Sequence, residues 1–195
     1  AEANGEAVAI KQVSKNRWRL NTAEKTVTVR YQVYAWDLSV RSAYLDQLQG
    51  FFNNTSLCLA VAGREDEACQ LTLHAPVDAL EWKVATGMPR LTGQPHSWGT
   101  FEAENYDALI DYPFLMGDLV IEEFIAHGIK HSLVLSGRHF ADTSKICADL
   151  ARICETQISM FGEAPFKSYT FLTMVVGEGF GGLEHRNSTA LLCSR

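Results

Sequence analysis

What this sequence lacks narrows its function first. No Lys/Arg cluster exceeds two or three residues and the formal net charge is −6, so the basic footprint of a nucleic-acid binder is missing. No apolar stretch approaches the length of a membrane span, and Ala1-Glu2-Ala3-Asn4-Gly5-Glu6 lacks the charged-then-apolar order of a secretion signal. Neither nucleic acid nor membrane is expected as a partner. Cys58, Cys69, Cys147, Cys154 and Cys193 form no Cys-x-x-Cys pair. An odd count without a framework predicts a reducing compartment, the cytoplasm, with the periplasm as the alternative. A Gly-x-Ser-x-Gly elbow, a phosphate loop, a Cys/His cluster, internal repeats and low-complexity segments are also missing.

What is present reads as a globular protein of 195 residues, 47% hydrophobic and 21% charged, long enough to bury a core as one domain or two small ones. Lys25 to Ala35 alternates polar and apolar residues, the pattern of a half-buried strand. Shorter strands are expected at Ser56–Ala62, Ala68–His74, Glu81–Ala85 and Gly99–Ala103, separated by Gly, Pro and Asn punctuation. Ser42 to Gln49 reads as a short helix or turn. From Leu109 the texture becomes β-β-α-β: strands at Val120–Ala126, His131–Ser136 and Tyr169–Val176, with a helix over Thr143–Phe161 capped by Asp142 or Thr143 and stopped by Gly162 and Pro165. The fold class is therefore α+β: a β-rich domain over residues 1–108, a sandwich or curved sheet, then a mainly β region with one long helix over residues 109–195.

One segment concentrates the candidate chemistry. Gly177-Glu178-Gly179-Phe180-Gly181-Gly182-Leu183-Glu184-His185-Arg186-Asn187-Ser188-Thr189 follows the last strand, and glycines there let a backbone approach another chain closely. Gly177, Gly179 and Gly182 match the dinucleotide fingerprint, but that motif needs a helix opening at its last glycine within a βαβ unit. Glu184 and His185, adjacent on a strand, point to opposite faces and cannot easily share one substrate atom. Glu184 alone suits a binding role, holding an ammonium while the bare backbone of Gly181 and Gly182 pairs with an extended peptide. Elsewhere His127-Gly128-Ile129-Lys130-His131 has zinc-protease spacing without its Glu, in a context of strands, and reads as turn and edge-strand histidines. His74, His96 and His139 read as surface or satisfied core residues.

Gly181-Gly182-Leu183-Glu184-His185-Arg186 with Ser188-Thr189 resembles the glycyl aminopeptidase family of zinc metallopeptidases, metallopeptidase family 61. Asn16-Arg17-Trp18-Arg19-Leu20, Val33 to Arg41, Tyr44-Leu45-Asp46, Tyr106 to Pro113 and Phe161 to Tyr169 match it in order. The resemblance implies that residues 109–195 are the first lobe of a thermolysin-like peptidase domain. It also implies that Gly181, Gly182, Leu183, Glu184 and His185 line a peptide cleft, with Glu184 holding the substrate's amino terminus. Relatives carry Asn where His185 stands. The resemblance puts the family's His-Glu-x-x-His zinc helix past Arg195, so the chain is expected to be a fragment with no catalytic residues or metal ligands of its own. The intact parent would be a zinc aminopeptidase preferring glycine, and this fragment would be inactive. The alternative is a non-catalytic module that binds peptides by strand addition.

Overall fold

Strands dominate the chain: 41% of residues lie in strands and 15% in helices. All 195 residues are described by a computed structural model, which separates into two compact units, Ala1–Tyr34 and Ala35–Arg195. The first unit holds two hairpins. One pairs β1 (Glu2–Ala3) with β2 (Glu6–Ala7); the other pairs β3 (Ile10–Ser14) with β4 (Arg17–Leu20) through a bulge between Gln12 and Ser14.

The second unit is layered. β5 (Ala43–Leu45), β6 (Gln49–Asn53), β7 (Cys69–Leu73), β8 (Lys83–Thr86), β9 (Gly99–Ala103), α1 (Tyr106–Ile110) and β10 (Pro113–Gly117) come first. β11 (Val120–Ala126), β12 (Ile129–Ser136), α2 (Thr143–Phe161), β13 (Ser168–Val176), β14 (Phe180–Glu184) and β15 (Ser188–Ser194) follow. One sheet has the order β5-β6-β10-β8, a second β11-β12-β13-β15-β14, and β7 pairs with β9 as a ribbon. The β12–β13 and β13–β15 pairs are parallel, and α2 provides the crossover that the first of these needs.

Side-chain alternation assigns the layers. Along β10, Phe114 and Met116 join a cluster with Phe52, Val84, Phe101 and Leu109, while Leu115 between them joins Val40, Phe51, Val134, Leu172, Met174 and Ala190. The four-stranded sheet is thus covered by the β7–β9 ribbon and α1 on one face and by the five-stranded sheet on the other. The buried Ile158 of α2 lies beyond the five-stranded sheet.

Four sequence expectations need comment. Lys25–Ala35 forms no ladder strand: Thr28 makes a single bridge to Glu2, and Ala35 O accepts the Leu45 N–H at 3.0 Å. Alternation describes a face that could be buried, but a strand also needs a partner, and Val29, Val33 and Tyr34 stay exposed here. Ser42–Gln49 is neither a helix nor only a turn. It contributes β5 and the start of β6, with a turn at Asp46 whose Oδ1 accepts the Leu48 and Gln49 N–H groups at 2.7 and 2.8 Å. The strand expected over Ser56–Ala62 is absent because buried Asn54 donates to Leu109 O and Tyr112 O, both at 2.9 Å, and fixes a 3-10 turn at Asn54–Ser56. The boundary expected between residues 108 and 109 falls inside α1, within the second unit. The long helix and its Asp142 cap form as expected, Asp142 Oδ1 accepting the Lys145 N–H at 3.0 Å.

Candidate functional site

β13 is apolar and buried, and the chain leaving it at Val176 must reverse before it can pair again. The glycines allow this. A Cβ on Gly179 would stand 2.8 Å from Val176 Cγ2, and the Gly179 N–H donates to Ser194 Oγ at 3.1 Å. The returning strand β14 pairs with β15 alone, as the edge of its sheet. Gly182 therefore lies within a strand and is followed by a hairpin, so the helix that a phosphate-binding turn requires does not form there.

The ladder phase decides which groups are free. His185 N–H donates to Ser188 O at 2.8 Å, which makes residues 181, 183 and 185 the hydrogen-bonded positions against β15. Phe180, Gly182 and Glu184 therefore turn their backbone N–H and C=O groups to the open side. Side chains divide by the same period. Leu183 packs on the Val40 cluster and a Cβ on Gly181 would lie 3.7 Å from Val40 Cγ2, whereas Phe180 is 96% exposed and Glu184 is exposed. No atom lies closer than 3.6 Å to a Cβ placed on Gly181 or Gly182. The fold itself has room for a side chain at both, so bare backbone there suits the approach of something outside the chain.

His185 is enclosed. Its side chain is 5% exposed, Nδ1 lies 3.3 Å from Asp111 Oδ1, and buried Nε2 has no partner. Asp111 Oδ2 also accepts the Arg186 N–H at 3.0 Å, and the Arg186 guanidinium pairs with Asp107 at 2.7 Å. The Asp107 hydrogen bond and the nearby carboxylates push the Arg186 pKa upward. Asn187 Nδ2 donates to Gly87 O at 2.8 Å, in space that a Cβ on Gly87 would fill. These contacts pin the turn between β14 and β15. Glu184 and His185 thus face opposite ways, as adjacent strand residues must, with the carboxylate to solvent and the imidazole to the interior.

Other candidates fall outside this edge. His127 and Gly128, with φ of 51° and 74°, form the two-residue turn of the β11–β12 hairpin, where His127 pairs with Glu155. His131 is buried, stacked on Phe124 with ring centroids 5.1 Å apart. His74 is exposed; His96 and His139 are half-buried, and His139 Nδ1 finds no partner, unlike a satisfied core residue. No group of three or more His, Cys, Asp or Glu side chains is arranged to hold a metal ion. The residues of this chain do not fit a zinc site. All five cysteines are free thiols, and no helix is long and apolar enough to cross a membrane. Asp111, Asn187 and Arg41 all lie inside motifs visible in the sequence, but nothing local marks their roles. Arg41 donates to the outward carbonyl of Gly182 at 3.4 Å.

Residues 1–118 match the peptidase M61 N-terminal domain. The chain belongs to the M61 peptidase family. A crystal structure of an aminopeptidase N family protein from Idiomarina loihiensis is 78% identical, with a TM-score of 0.98; the match covers 100% of this chain and 33% of that one. An M1 zinc metallopeptidase from Deinococcus radiodurans shares the fold at 10% identity and TM-score 0.56, covering 97% of this chain and 48% of its own. A mutant of that enzyme bound to a Tyr-Ser-Ala substrate matches at 12% identity and TM-score 0.54, covering 95% and 48%. The chain thus spans about a third of the first relative's length and about half of the others'. No curated protein matches it.

Proposed function

We propose that this chain is the amino-terminal part of a zinc-dependent aminopeptidase and supplies the wall of the cleft that holds the peptide. One observation carries the reading: the open edge of β14 presents bare backbone at Gly182 and an exposed carboxylate at Glu184. An extended peptide adds to that edge through main-chain hydrogen bonds, and its terminal ammonium pairs with Glu184. Gly181 and Leu183 set the strand's height against the core, and the His185–Asp111 pair anchors its end. Fixing the ammonium imposes exopeptidase register, because the first peptide bond then lies at a constant distance from Glu184. Preference for glycine belongs to this reading through the family resemblance. So do a thermolysin-like lobe following the amino-terminal domain match, which ends at residue 118, and a cytoplasmic location suited to five free thiols.

The structural relatives are a zinc metallopeptidase and its mutant bound to a Tyr-Ser-Ala substrate, which supports zinc and peptide for the full-length protein. The same open β14 edge would also serve a second reading for the chain alone, a non-catalytic peptide-binding module. The 195-residue chain is expected to bind no stoichiometric zinc and to hydrolyse nothing; one zinc per chain by metal analysis contradicts this. The full-length protein is expected to cleave glycyl-4-nitroanilide and to leave its N-acetylated form intact. Equal cleavage of both sinks the aminopeptidase reading.

A further inference from the structure

Arg41 sets a cation against the open edge of β14. Val40 beside it is 1% exposed and belongs to the core cluster under β14, so the Arg41 backbone has little freedom relative to the strand. Its N–H donates to Ser39 Oγ at 3.2 Å, and its carbonyl accepts the Ser56 hydroxyl at 3.1 Å. The guanidinium reaches Gly182 O at 3.4 Å, a long contact for a charged donor. No ion pair engages it. An uncommitted guanidinium held over a carbonyl has donors to spare, and its planar fork suits a carboxylate better than any other common group.

Spacing turns this into a substrate class. Glu184 and Gly182 are two residues apart on one strand, roughly 7 Å at about 3.4 Å per residue. An extended dipeptide spans a similar length from its ammonium to its carboxylate, at about 3.3–3.6 Å per residue. With the ammonium level with Glu184, the chain runs antiparallel to β14, its second residue lies opposite Leu183, and its carboxylate, about 7 Å from the ammonium, reaches the level of Gly182, under Arg41. Resting on the aminopeptidase reading above, we propose that Arg41 binds the terminal carboxylate of a dipeptide, so that the β14 edge reads both ends of a two-residue substrate. A longer peptide must pass Arg41 and offers it only a carbonyl. The Gly182 contact is then the resting position of the guanidinium, released when a carboxylate arrives.

The test compares glycyl-leucine with glycyl-leucinamide in the full-length protein, read as the ratio of their kcat/KM values. Loss of a charge-assisted pair predicts a ratio of about ten or more in favour of the free acid. Arg41→Gln is expected to bring that ratio close to one, and Arg41→Lys to leave an intermediate value, because an ammonium keeps the charge but not the fork. A ratio near one in the unaltered protein overturns the proposal. So does an Arg41→Gln variant in which both substrates fall equally, since that is the mark of a structural role. Cleavage of glycyl-4-nitroanilide without cleavage of either dipeptide sinks this inference alone; failure to cleave any glycyl compound sinks the peptidase reading and this inference with it.

Discussion

β11 and β14 are the outer strands of the same five-stranded sheet, and they treat the open edge in opposite ways. β11 carries Glu122 and Glu123, with Glu123 paired to Lys130 of the neighbouring β12 at 2.6 Å, and ends at the tight His127-Gly128 turn held by Glu155 of α2. Charges and a neighbouring helix are how proteins discourage further strand pairing. β14 has glycines where β11 has glutamates, and its one carboxylate lies at the end of the run. The difference teaches that β14 is not merely unprotected. An edge left bare by accident would carry side chains, since the fold has room for them at Gly181 and Gly182.

The largest expected effect comes from blocking the bare edge. Gly182→Pro removes an outward N–H that no ladder bond uses, so the full-length protein is expected to fold while kcat/KM on a glycyl peptide falls about 100-fold or more. Kinetics together with a thermal melt check this; an active variant breaks the comparison. Next come glycines that the fold requires against those it does not. Gly137 has φ +83° and a Cβ there would stand 2.2 Å from Val175 O, so Gly137→Ala is expected to lose about 2 kcal/mol or more. Gly182→Ala is expected to stay within about 0.5 kcal/mol, and denaturant titration of the two variants separates the cases.

Between the edges, burial pushes the Cys58 thiol up to about 11 from 9.0 and the Tyr169 phenol up to about 12 from 10.0. Both stay neutral in the folded chain at a pH where the unfolded chain has ionised. Their stabilising effect is complete below pH 9 and is lost as pH rises through 11 and 12. Melting temperatures are expected to fall over that window, and less so in Tyr169→Phe. The smallest effect is at the protected edge: Glu123→Ala removes an exposed ion pair and is expected to cost about 0.5 kcal/mol or less by the same titration.

The sequence made local elements legible where pattern and partner coincide. Thr143–Phe161 has helical spacing with an Asp142 cap, Val120–Ala126 has both bounds, and the glycine segment could be read as a strand presenting Glu184. It misled where partners decide. Lys25–Ala35 has the alternation without a ladder, and no strand is expected over β6, because Phe51 and Phe52 are buried on opposite faces and leave no alternation to read. Long-range partners of the site were also out of reach. Nothing local says that Arg41 lies over Gly182, 141 positions away, or that His185 meets Asp111, 74 positions away.

The central claim is that Glu184 holds the terminal ammonium of a peptide on the β14 edge. Its most direct test is kcat/KM of the full-length protein on glycyl-4-nitroanilide before and after Glu184→Gln, which keeps the shape and removes the charge. The account predicts a fall of about 10- to 100-fold, the worth of a charged hydrogen bond. A value within twofold of the unaltered protein would contradict it.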